Sequence, residues 1–136
     1  MKRELSAGGL VVRRFRGRPF LAVVKVKQGT VMALPKGHPD GRESMSEAAV
    51  REVREETGLE TEALQKIGDV RYWYTLDGER VLKVVSFYLC RYLSGRITDH
   101  DHEVDGVEWV PLEEAASRLS YGGERRMAAQ ASQRIT

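Results

Sequence analysis

Apolar and polar positions along this chain fall into short blocks that separate strands from helices. Residues 5–14 form an apolar-rich stretch interrupted by Gly8-Gly9, which predicts a strand with a bulge or a close backbone approach. Residues 15–19 read Phe-Arg-Gly-Arg-Pro and predict a turn, and an aliphatic run returns over 20–26, so the pair reads as an antiparallel hairpin. A loop at 27–30 precedes a short apolar piece at 31–34. Residues 35–42 hold two prolines and two glycines and predict an irregular loop.

A helix is expected over 45–57. Ser44 with Glu47 three residues later has the form of a capping box, and Gly58 supplies the stop. Beyond it, 63–74 and 80–93 read as strands around a turn at 76–79, and 104–110 as another strand. Pro111 opens a short helix reaching about 119. A last helix over 124–133 places Met127, Ala128 and Ala131 inward. No internal repeat or low-complexity linker breaks the pattern. Strands around one central helix, with more helix at the end, give a mixed α/β sandwich with one core, expected as a single domain over 1–136.

Composition adds exclusions. The 136 residues are 41% apolar and 31% charged, which suits a folded chain with a heavily solvated surface. With 22 basic and 20 acidic residues the net charge is +2, and no concentrated basic surface suggests a nucleic-acid polymer as partner. No stretch approaches the roughly 20 apolar residues that span a bilayer, and Met1-Lys2-Arg3-Glu4 leads into no signal-peptide apolar region. The single cysteine, Cys90, reads as a small buried hydrophobe and suits a reducing compartment. The expectation is a cytoplasmic protein, monomer or homodimer, without membrane partner.

The even total hides a local concentration. Between Glu43 and Glu56 the chain places five glutamates and two arginines. At about 100° per residue, Glu52 and Glu56 share a helix face, Glu55 lies one step around, and Met45, Ala48 and Ala49 occupy the same sector. These carboxylates therefore lie near where the helix meets the rest of the protein. Crowded and partly shielded from water, they repel one another, and a bound divalent cation is the simplest relief. Carboxylate oxygens without sulfur or a helical histidine pair favour Mg²⁺ or Mn²⁺. Arg51 can pair with Glu47 and Glu55, each four residues away, and so orient the cluster. The competing reading is an ordinary charge-paired surface helix. The Gly- and Pro-rich loop before the helix, able to present backbone groups to phosphate or metal, argues against it.

Gly37, five residues, Glu43, seven residues, then Arg51-Glu52-Val53-Arg54-Glu55-Glu56-Thr57-Gly58-Leu59 resembles the Nudix hydrolase signature at all nine defined positions over 23 residues. The resemblance implies an α/β/α sandwich in which this loop and helix bind Mg²⁺ or Mn²⁺. It further implies hydrolysis of a nucleoside diphosphate linked to a group X. Carried over by position, Glu52, Glu55 and Glu56 would be metal ligands, joined by the Gly37 carbonyl, with Glu43 in a supporting role and Arg51 in the catalytic group. Charge neutralisation on the pyrophosphate, with positive charge added by Lys36, would let water attack, and a carboxylate would take the proton. Glu52 and Glu103 are both candidates for that base. Glu103 stands in the loop His100-Asp101-His102-Glu103, where a plain loop acid is the alternative reading.

Selectivity for X must come from outside the signature. Arg71-Tyr72-Trp73-Tyr74 is an aromatic cluster in which Tyr72 and Tyr74 face one side and Trp73 the other, suited either to base stacking or to packing in the sandwich. Lys83 interrupts an apolar strand, either at an exposed edge or aimed at phosphates. Tyr121 precedes the last helix, where it could close over a base. Ser6-Ala7-Gly8-Gly9, Leu34-Pro35-Lys36-Gly37-His38, Tyr72-Trp73-Tyr74 with Gly78-Glu79-Arg80, and Lys83 together resemble the small bacterial diadenosine tetraphosphate hydrolases within the family. On that resemblance Lys36 and Lys83 would hold the polyphosphate and Tyr74 or Tyr121 the adenine. Oxidised nucleoside triphosphates of the 8-oxo-dGTP type and ADP-ribose are the alternative substrates.

Overall fold

The computed structural model describes residues 2–135. Seven strands and three α-helices follow one another as β1 (Lys2–Phe15), β2 (Arg18–Val26), β3 (Val31–Ala33), β4 (Lys36–Gly37), α1 (Met45–Thr57), β5 (Leu59–Leu76), β6 (Glu79–Gly95), β7 (Gly106–Pro111), α2 (Leu112–Arg118) and α3 (Gly122–Arg134). A single 3₁₀ turn at Ile97–Asp99 lies between β6 and β7. The sheet runs β3-β2-β1-β6-β5, with β4 also on β1 and β7 also on β2. It is mixed: β1 pairs parallel with β6 from Lys2 opposite Val81 to Val12 opposite Arg91, and the other pairings are antiparallel.

Turn chemistry explains the hairpins. Phe15 pairs with Arg18 around Arg16-Gly17, and Leu76 with Glu79 around Asp77-Gly78. In both loops the two central residues have positive φ (53° and 80°, 52° and 77°), the backbone that right-twisted strands require and that glycine adopts without strain. The strands β5 and β6 are longer at both ends than the apolar runs alone suggest, because backbone pairing carries polar residues such as Glu60 and Thr75 into the ladder. The 35–42 loop is not wholly irregular either. Lys36 and Gly37 pair with Gly8 and Ala7, anchoring the start of that loop to the central strand.

Alternation along β1 divides the core between two faces. Leu10 faces a large cluster with Phe87, Val70, Met127, Ala128 and Ala131, which seats α2 and α3. Val11 faces Val53, Leu59 and Cys90, and Ala7 faces Ala48 and Ala49, which seats α1 on the opposite side. The result is a helix–sheet–helix sandwich. Gly9 permits the close approach of α1: a Cβ there would stand 2.6 Å from Val53 Cγ2. Gly8 does the same for the strand carrying the site, because its Cβ would meet the Pro35 carbonyl at 2.5 Å. Phe87 is fully buried in the larger cluster, where truncation to alanine costs about 3–5 kcal/mol.

Candidate active site

The α1 helix starts where its sequence says it should. Ser44 accepts the Glu47 N–H at 3.1 Å while the Glu47 carboxylate accepts the Ser44 N–H at 2.9 Å, and Gly58 ends the helix in the left-handed conformation. This cap corrects one expected pairing: the Glu47 carboxylate is turned to the backbone of Ser44, and Arg51 reaches other partners. Its Nε and Nη2 grip the Glu43 carboxylate at 2.8 and 3.1 Å, Nη2 also donates to the His38 carbonyl at 2.8 Å, and Nη1 donates to Glu52 at 2.9 Å and Glu55 at 3.2 Å. All five guanidinium N–H groups have acceptors at hand, so Arg51 ties the loop to the helix and fans out the carboxylates. Glu43 is held below the ordinary carboxylate range by these Arg51 bonds and by the Asp40 N–H.

Glu52 and Glu56 lie one helical turn apart at the inner edge of α1. Glu52 is only 8% exposed, and burial raises its carboxyl above the usual range against the opposing pull of Arg51. Glu56 is pushed up to about 8, by burial first and then by the charge of Glu52. Gly37 faces this pair: a Cβ at position 37 would overlap the Glu52 carboxylate, so only glycine lets that carboxylate lie against the backbone. The Lys36 N–H points at Glu56 Oε1 at 3.4 Å. Glu55 is turned outward to Arg51 with its side chain 47% exposed. Among the described residues no three carboxylate, imidazole or thiol groups converge on a common point. What converges is a mutually repelling pair of carboxylates, Glu52 buried and Glu56 partly so, beside a glycine backbone. That oxygen-only donor set fits a hard divalent cation, which would relieve the repulsion and displace the Glu56 proton.

Glu56 borders a cavity of about 790 Å³. Of the residues singled out in the sequence, Lys36, Gly37, Glu56, Tyr72, Tyr74, Lys83, Glu103 and Tyr121 line it, whereas Arg51, Glu52 and Glu55 stand behind or outside its wall. The predicted alternation holds, since Trp73 faces away, half exposed, with the Arg80 guanidinium 4.5 Å from its ring centroid. The Tyr72 hydroxyl is buried without a hydrogen-bond partner among the described residues and is pushed up to about 12 by burial and then by the charge of Glu124. Glu103 sits on the loop between the 3₁₀ turn and β7, with its N–H on Asp101 Oδ1 at 3.0 Å, and its charge is felt at Glu52. The Asp101 N–H donates to the Glu55 carbonyl at 2.9 Å, which pins this loop to the end of α1.

Several cavity residues escape sequence reasoning. His38 and Ser6 line the wall, with His38 Nδ1 3.5 Å from Ser6 Oγ and 3.2 Å from the Leu5 carbonyl, and Lys27 joins them from the β2–β3 loop. Glu124 is fully buried beneath Lys36, with 2.9 Å between its Oε2 and the ammonium. Its signal was present in the spacing, because 124, 127, 128 and 131 form one helix face and the acid occupies the first of these inward positions.

Comparison with known proteins agrees with this architecture. The NUDIX domain family matches residues 2–131. The chain is 42% identical over 138 residues to the candidate mutator protein MutT4 of Mycobacterium tuberculosis, covering 97% of this chain and 56% of that protein. The chain thus spans little more than half the length of that relative. It is 28% identical over 119 residues to a bis(5'-nucleosyl)-tetraphosphatase [asymmetrical] of Caenorhabditis elegans, covering 86% of each. A solved structure of an Ap4A hydrolase binary complex from C. elegans superposes with a TM-score of 0.76 at 23% identity over 97% of both chains, which shows the shared fold. With the whole signature on one loop and helix and the family matched along nearly its full length, this chain belongs to the NUDIX domain family.

Proposed function

We propose that this chain hydrolyses a pyrophosphate bond in a nucleoside diphosphate linked to a further group, and that dinucleoside polyphosphates of the diadenosine tetraphosphate type are its substrates. The observation that carries the reading is the Glu52–Glu56 pair beside Gly37, with Glu56 and Gly37 lining a cavity walled by lysines and tyrosines. Glu52, Glu56 and the Gly37 carbonyl, with Glu55 once it turns from Arg51, would hold Mg²⁺ or Mn²⁺. The ion supplies charge neutralisation on the phosphates and a more acidic water.

The remaining work falls to side chains. Lys36 and Lys83 hold the anionic chain, and Tyr74 and Tyr121 offer ring faces to a base. Such stacking contributes about 1–3 kcal/mol per base in single-strand binders. Glu103 accepts the proton of the attacking water as the new P–O bond forms, while the bridging oxygen leaves with the bonding pair on the departing phosphate. Its place on the cavity wall favours it over Glu52, which is engaged by Arg51.

A second reading is hydrolysis of oxidised nucleoside triphosphates such as 8-oxo-dGTP, favoured by 32% identity over 95 residues, 70% of this chain and 28% of that protein, to an 8-oxo-(d)GTP phosphatase of Mycolicibacterium smegmatis. A substrate panel with Mg²⁺ separates the two. Diadenosine tetraphosphate should show the highest kcat/KM. A larger kcat/KM for 8-oxo-dGTP or ADP-ribose would reject the first assignment, and no turnover of any phosphoanhydride would reject the hydrolase reading.

A further inference from the structure

The α3 helix begins Gly122-Gly123-Glu124, and its third residue is an acid with no exposed surface. Both carboxylate oxygens are spent on one short segment. Oε1 accepts the Leu34 N–H at 2.7 Å, and Oε2 lies 2.9 Å from the Lys36 ammonium. The second contact is ionic rather than directed, since among the described residues no well-aligned donor reaches Oε2. Lys36 Nζ also donates to the Leu34 carbonyl at 3.2 Å and stands 5.7 Å from the Tyr121 ring centroid. One buried carboxylate thus clamps both neighbours of Pro35, immediately before Gly37.

A fully buried charge is costly unless it is paired and hydrogen-bonded. Capping the Leu34 N–H does not need a charge, because a glutamine oxygen would accept the same bond with less desolvation. The negative charge is directed at Lys36, and through Lys36 at the cavity. Gly123 serves the same arrangement: a side chain there would collide with Val70, so glycine lets the start of α3 sit close enough to the sheet for Glu124 to reach the segment below.

We propose that Glu124 is a positioning residue for hydrolysis, holding the Lys36 ammonium where negative charge develops on the phosphates. The inference rests on the hydrolase reading, in which Lys36 faces the polyphosphate. Glu124 touches no substrate and acts only through Lys36. It also tempers that lysine: part of the positive charge is answered from below, so ground-state attraction is limited while the ammonium stays in place for the transition state.

A double-mutant cycle tests this. Glu124→Gln keeps an acceptor for Leu34 and removes only the charge. It should lower kcat for diadenosine tetraphosphate by about tenfold or more, while KM stays level or falls because the Lys36 charge is no longer answered from below. In a Lys36→Gln background the same substitution should change either constant by no more than roughly twofold. An unchanged kcat, a raised KM, or an equal loss in both backgrounds would overturn the proposal. Glu124→Asp, which keeps the charge but withdraws it by one methylene, should give an intermediate kcat and completes the cycle if the glutamine variant does not fold. If the native protein cleaves no phosphoanhydride, the hydrolase reading fails separately. The cycle is then read from inorganic tripolyphosphate binding by calorimetry. Glu124→Gln should tighten Kd by about threefold only when Lys36 is present, and an unchanged Kd would reject the coupling.

Discussion

Gly37 and Glu52 occupy adjoining space: the glutamate carboxylate lies where a side chain on residue 37 would have to go. The contact joins the end of β4 to the buried edge of α1, and it brings the backbone of one residue and the carboxylate of the other to the same spot. Gly37→Ala should therefore displace Glu52 without disturbing the sheet. Turnover should fall by about two orders of magnitude, as expected for a misplaced site, with an unaltered far-ultraviolet circular dichroism spectrum. An alanine variant with native turnover would show that this contact is irrelevant to chemistry.

Glu56 makes the metal-free protein sensitive to alkaline pH. Its carboxyl titrates near 4.5 in an unfolded chain and at about 8 in the fold, raised first by burial and then by Glu52. Between those values the folded protein carries a proton that the unfolded chain has released. Its contribution to stability is therefore fully present below 4.5, declines as pH rises through that window, and levels off above 8. In chelator, the melting temperature of Glu56→Gln relative to the native chain should climb between pH 5 and pH 9. A constant difference across that range would contradict the assignment.

Arg51 has a planar fork that a lysine cannot reproduce. Arg51→Lys would keep the charge but lose the two-pronged grip on Glu43 and the bond to the His38 carbonyl. Stability should drop by roughly 2–4 kcal/mol, measured by chemical denaturation, because several charge-assisted bonds vanish together. A change within about 0.5 kcal/mol would mean that the network adds little to the fold.

The Ser44 cap is a smaller and separable contribution. Ser44→Ala removes the acceptor for the Glu47 N–H and should cost about 1 kcal/mol, a fall of about 3–5 °C in melting temperature for a chain of this size. Activity at 25 °C should be unaffected, since the cap lies at the far end of α1 from Glu56.

Lys83 offers a test of substrate contact that leaves the proposed metal-binding region alone. Lys83→Met keeps the stem along the cavity wall and deletes the charge. KM for a dinucleoside polyphosphate should rise about tenfold with kcat changed less than roughly threefold. If KM is unmoved at low ionic strength, Lys83 faces solvent in the working complex.

Much of this molecule is legible along the chain because local chemistry decides it. Ser44, Glu47 and Gly58 bound α1 by hydrogen bonds within a few residues, and Asp77-Gly78 closes its hairpin through its own backbone preference. The alternation of Tyr72, Trp73 and Tyr74 likewise follows from the pleat. The parallel pairing of β1 with β6 could not be read this way, because both strands are apolar and would also fit other orders. Glu47 illustrates the limit of spacing: helical geometry allows it to reach Arg51, but the Ser44 N–H takes the carboxylate. Glu124 stands on the helix face that spacing turns inward, but its role was hidden for a related reason. A single buried acid only makes sense once the partner below it is known, and Lys36 is far away in sequence.

The long ladder between β1 and β6 also bears on the order in which the protein forms during synthesis. Lys2 is made well before its partner Val81, which follows only after β2, α1 and β5. The β5–β6 ribbon can close locally around Asp77-Gly78 as soon as it is complete, whereas docking β1 against it requires closing most of the chain into one loop. Pulsed hydrogen exchange should therefore protect amides of Val70 to Val85 before those of Leu5 to Val11. The proposed hydrolytic pocket, which needs Gly37 hung on β1 and α1 seated across the ladder, would be among the last features to mature. A ribosome-bound chain stalled before β6 should be incapable of turnover however much of α1 it exposes.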